Sequence, residues 1–98
     1  MDMVEAISKE QKEQASSVLK GNGVKRAAFF GSFARGQATE GSDIDILVEF
    51  EGEKSLFDIG GLKMELEDIF NKKIDIVEYQ SLHPLLREDI LKEQVSIL

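Results

Sequence analysis

The chain has 98 residues, enough for a single domain spanning residues 1–98 with a modest core. Its composition, 42% hydrophobic and 32% charged, excludes a disordered chain, and no apolar run approaches the ~20 residues that span a membrane. The net charge of -7 with no basic stripe argues against a polynucleotide substrate, while the lack of cysteine and of a signal-peptide pattern fits the cytoplasm.

Residues 3–20 read as a first helix. Val4, Ile7, Ala15, Val18 and Leu19 roughly mark one face, although the stretch from Gln11 to Gln14 is polar. Gly21-Asn22-Gly23 ends it. Val24 to Phe30 is the first predicted strand, and it stops at Gly31-Ser32. Residues 31–42 form a linker rich in Gly, Ser and Thr, with Phe33-Ala34-Arg35 as a short helix ending at Gly36. Ile44 to Phe50 is the second strand. Ile44, Ile46, Val48 and Phe50 line one face, and Asp45, Leu47 and Glu49 the other, with Asp43 at the head.

Residues 55–71 form an amphipathic helix. Ser55 is the expected N-cap, with Asp58 three residues on. Leu56, Ile59, Leu62, Leu66, Ile69 and Phe70 recur at helical spacing. Gly60-Gly61 weakens the interior by about 1 kcal/mol per glycine relative to alanine. Lys73 to Tyr79 is the third strand. Ser81 to Leu91 is the last helix, with Pro84 in its first turn and an apolar face of Leu82, Leu85, Leu86, Ile90 and Leu91. His83, the one histidine, reads as a cap or a surface residue. The tail from Val95 to Leu98 is either a short strand or a docked end. Strand-helix alternation gives an α/β domain, a small mixed β-sheet flanked by helices.

Two features carry chemistry. Asp43 and Asp45 project to the same face of a strand, ~6–7 Å apart at ~3.3 Å rise per residue. Two carboxylates on one face repel unless a cation lies between them, and hard oxygen ligands suit magnesium. The Gly31-Ser32 turn supplies the complement: its glycine lets the backbone approach a phosphate, and amides plus a hydroxyl bind phosphate oxygens. Arg35 either faces phosphate or structures the loop through a carboxylate. Lys63 is either a solvated helix lysine or a contact to nucleotide phosphate. An Asp in the middle of the third strand is costly to bury unpaired, which draws notice to Asp75.

Gly31-Ser32, ten residues, then Asp43-Ile44-Asp45 resembles the signature of the DNA polymerase beta-like nucleotidyltransferase superfamily. The fuller string GSFARGQATEGSDIDILV is similar to its minimal single-domain branch, the MNT proteins. The resemblance implies the polymerase beta-like fold and transfer of a nucleotidyl group with release of pyrophosphate. It implies a site of two magnesium ions held by Asp43, Asp45 and a third carboxylate on a neighbouring strand, where Asp75 stands and Glu78 is the runner-up. ATP is the implied donor, with its β- and γ-phosphates at Gly31 and Ser32, and Arg35 and Lys63 as the further candidate nucleotide contacts.

Larger members of the superfamily carry a second domain that binds the acceptor, and none is expected in this chain. Minimal members similar to it are paired with a HEPN-domain toxin as antitoxin, and transfer AMP to a tyrosine of that toxin. A HEPN partner is therefore the expectation. The alternatives are a non-catalytic antitoxin that neutralises by contact and nucleotidyl transfer to a small molecule.

Overall fold

The computed structural model describes residues 7–36 and 41–98. Helix α1 spans Lys9–Gly21 and is opened by a capping box. The Ser8 hydroxyl accepts from the Gln11 amide at 3.0 Å, and Gln11 Oε1 accepts from the Ser8 amide at 3.0 Å. This accounts for the polar stretch in the predicted helix: Gln11 belongs to the first turn, and the helix begins at Lys9 and not at residue 3. Gln11 also donates through Nε2 to the Ile69 carbonyl at 3.1 Å, tying α1 to a later helix. Val4 lies outside the described residues.

Strand β1, Val24–Phe30, runs into a one-turn helix α2, Gly31–Ala34. Strand β2 is Ile44–Phe50, and helix α3 is Leu56–Phe70. Ser55 caps α3, accepting from the Asp58 amide at 3.1 Å, while Asp58 Oδ2 accepts from the Ser55 amide at 3.0 Å. Such a cap stabilises a helix by about 1 kcal/mol. Backbone and side-chain hydrogen bonds from Ser55 hold the Asp58 pKa below the usual carboxylate value. Its contribution is therefore present above that value and fades as pH falls. Strand β3 is Ile74–Glu78, helix α4 is Pro84–Glu93, and strand β4 is Val95–Ser96. His83 is the cap of α4, its Nδ1 accepting from the Leu85 amide at 3.2 Å.

The four strands lie in the order β3-β2-β1-β4, with β2 and β3 parallel and the other pairs antiparallel. The sheet is thus mixed, as expected, with the tail as a fourth strand. Alternation sorts its side chains. Ala27, Phe29, Ile44, Ile46, Val48 and Ile74 share one face and pack with Leu19 of α1 and Leu62, Leu66 and Phe70 of α3. Phe29 meets Phe33 and Phe70 at ring-centroid distances of 5.4 and 6.0 Å. The two long helices therefore cover one face and leave the other to different work.

Two apolar assignments differ from expectation. Leu56 lies at the start of α3 and is exposed, outside the core face that Leu62 and Leu66 define. Helix α4 buries none of its residues, and Leu85 and Leu86 are exposed. Among the described residues no helix is long and apolar enough to cross a membrane.

Candidate active site

The second sheet face carries the acidic residues. Register is the deciding fact: Asp45 of β2 stands beside Asp75 of β3, while Glu78 stands beside Val48. Paired residues of neighbouring strands point to the same side, so Asp45 and Asp75 share the face away from α1 and α3, and Glu78 does not. Asp43 precedes β2 by one residue. All three are half-buried, and no charged residue is buried among the described residues. Desolvation in mid-strand is therefore not what marks Asp75; its position beside Asp45 is.

The charges act on one another. The Asp45 pKa is raised above the usual carboxylate value, first by burial, then by the negative charges of Asp75 and Asp43, with Arg35 opposing. Among the described residues no three acidic or imidazole groups stand close enough to grip an ion as they are arranged. Asp43 and Asp75 nonetheless stand near enough for their charges to help raise the Asp45 pKa. Like charges left to themselves separate; the donor set, three hard carboxylate oxygens at one strand end, fits magnesium.

The glycine turn meets this cluster directly. Phe30, the last residue of β1, pairs with Asp45, so the chain turns beside that carboxylate. Gly31 adopts φ +70, which side chains rarely tolerate. A Cβ on Gly31 would run into Asp45 Oδ2. The next residues, Ser32 and Phe33, form the single turn of α2, whose N-cap Phe30 makes no side-chain cap bond. One turn contributes little dipole; it places Ser32 next to the glycine that abuts Asp45.

Arg35 follows at the end of that turn. Its Nη1 donates to Glu93 Oε2 of α4 at 3.3 Å, and its positive charge reaches Asp45. Of the two roles open to it in the sequence, the structure shows the bond to a carboxylate. Sequence reasoning missed Glu93, since nothing local signals a pair 58 residues apart. It also missed the clamp that ties the chain's end to this face. The Tyr79 hydroxyl donates to Gln94 Oε1 at 2.6 Å, Arg87 donates to the Tyr79 carbonyl at 2.9 Å, and Arg26 sits 4.2 Å over the Tyr79 ring. Lys63, by contrast, lies on α3, behind the other sheet face. The structure brings Gly31, Ser32, Arg35, Asp43, Asp45 and Asp75 to one region and leaves Lys63 out of it.

Comparison with known proteins bears on the family and the fold. Residues 8–97 match the family described as the nucleotidyltransferase domain. A Methanocaldococcus jannaschii protein, provisionally named a protein adenylyltransferase, is 51% identical over 89 residues, which cover 91% of this chain and 96% of that protein. Protein adenylyltransferase MntA of Thermococcus cleftensis is 39% identical over 75 residues, 76% of each chain. A solved structure described, provisionally, as a minimal nucleotidyltransferase superposes with a TM-score of 0.80 at 39% identity, covering 97% of this chain and 95% of that one.

Proposed function

The chain belongs to the nucleotidyltransferase domain family, and on that premise we propose that it moves AMP from ATP to a tyrosine hydroxyl of a HEPN-domain toxin partner, with magnesium. The observation that carries this reading is the contact between the Gly31 turn and Asp45. A triphosphate held at the turn would lie against these carboxylates, which is what supports the reading.

Each residue has a task. The Gly31-Ser32 turn holds the β- and γ-phosphates through backbone and hydroxyl hydrogen bonds. Arg35, whose charge already reaches Asp45, turns toward the phosphates when they arrive. Asp43, Asp45 and Asp75 would hold magnesium, which when bound stabilises charge on the attacking and leaving oxygens. Asp75 also accepts the proton of the incoming hydroxyl. That oxygen forms a bond to the α-phosphorus, the bond from the α-phosphorus to its bridging oxygen breaks, and pyrophosphate leaves with the electron pair. Lys63 stands outside this scheme.

The acceptor must come from elsewhere. The chain has one tyrosine, Tyr79, which is buried and already donates its hydroxyl hydrogen to Gln94. Self-modification there would require unfolding the clamp. Intact-mass measurement tests the reading. The chain, ATP and magnesium, mixed with the HEPN protein that copurifies with it, should add the mass of AMP to that protein. A tight complex that never gains mass would overturn transfer and leave a contact-only antitoxin.

A further inference from the structure

Among the described residues, the outward face of α3 takes no part in the core. Leu56, Phe57 and Met64 are 88, 92 and 68% exposed, and with Gly60 and Gly61 they line one apolar groove. Helical spacing puts this groove on the side of α3 away from Leu62, Leu66 and Phe70. The solvent face of such a helix is normally polar, and a contiguous apolar patch there marks an interaction site. The glycines agree. Each weakens the helix relative to alanine, yet a Cβ at either would meet nothing within 4 Å. Packing among the described residues does not call for them. They hollow the groove between Leu56 and Phe57 at one end and Met64 at the other, where a second helix can approach closely.

The charge around the groove selects the occupant. Along α3 itself Asp58, Glu65, Glu67 and Asp68 outnumber Lys63. A second copy would bring the same acidic helix to the groove. We infer that the groove docks a helix of a different protein, whose apolar stripe is flanked by lysine and arginine. The groove lies across the sheet from Asp45 and Asp75, so the docked helix leaves the carboxylate face open. The surface does not depend on the transfer chemistry.

Two helical peptides with one leucine stripe test this, the first flanked by lysine and arginine, the second by glutamate. Titrated into the full chain, the basic peptide should bind and shift the backbone amides of Leu56, Phe57, Gly60, Gly61 and Met64, and the acidic one should not. Phe57→Gln should weaken binding at least about tenfold, the scale of a lost aromatic anchor. Gly61→Gln should do the same while raising the melting temperature, since glutamine is the better helix former. Magnesium-dependent ATP binding should be unchanged in both variants. No binding by the basic peptide, equal binding by the acidic one, shifts mapping elsewhere, or variants that bind as wild type would each overturn the inference. So would a wild-type dimer in sedimentation that Phe57→Gln dissolves, which assigns the groove to a second copy.

Discussion

Asp75→Asn should reduce transfer at least about a hundredfold while the fold survives, and Glu78→Gln should be nearly silent. The two residues sit three apart on β3, but register separates them: Asp75 stands beside Asp45, and Glu78 beside Val48 on the opposite face. An amide in place of the Asp75 carboxylate keeps the shape and loses the charge and the proton acceptor. Nucleotide binding should survive better than in an Asp43 variant, because the ligands nearest the triphosphate remain. Stability should move the other way. Burial and the charges of Asp75 and Asp43 raise the Asp45 pKa. A raised carboxylate pKa favours the fold below the unfolded value and loses that contribution as pH rises through the folded one. Without divalent cation, the wild type should therefore lose stability on this account above ordinary carboxylate pH, and Asp75→Asn should lose less. Transfer rates and melts across pH decide the matter. An active Asp75→Asn, or a dead but folded Glu78→Gln, would show the third carboxylate to be wrongly assigned.

Gly31→Ala should be nearly as damaging, by a different route. A residue with a Cβ at φ +70 costs roughly 1–2 kcal/mol in the backbone alone. The added methyl also collides with Asp45 Oδ2, so either the turn or the carboxylate must shift. Both are parts of the same site. ATP affinity should fall at least about tenfold, together with a lower melting temperature. Gly21→Ala is the control: a Cβ there meets nothing within 4 Å, and the change should leave ATP binding alone. Equal ATP affinity in Gly31→Ala and wild type would detach the turn from the phosphates.

Much of this was legible before any coordinates. The faces of β2 and the cap at Ser55 follow from period and local chemistry and stand where expected, while α4 starts at Pro84 and not at Ser81. The aspartates of the motif could be named from spacing because strand alternation is a local rule. What stayed hidden is non-local. The pairing of Asp45 with Asp75 depends on the register of a parallel crossover, and the bond from Arg35 to Glu93 joins residues 58 apart. Burial misled in two places. The apolar face of α4 and the leading residue of the α3 face look like core by periodicity, yet Leu85, Leu86 and Leu56 are exposed. Periodicity reports which side of a helix is apolar; it does not say whether this chain supplies the cover.

Calorimetry of ATP binding, with and without magnesium, tests the site most directly. Wild-type chain should bind ATP only when magnesium is present, because the carboxylate cluster repels a triphosphate until a cation lies between them. Asp43→Asn combined with Asp45→Asn should lose that magnesium-dependent binding while melting at or above the wild-type temperature. ATP affinity in the double variant equal to wild type, or binding indifferent to magnesium, would contradict a metal site at Asp43 and Asp45.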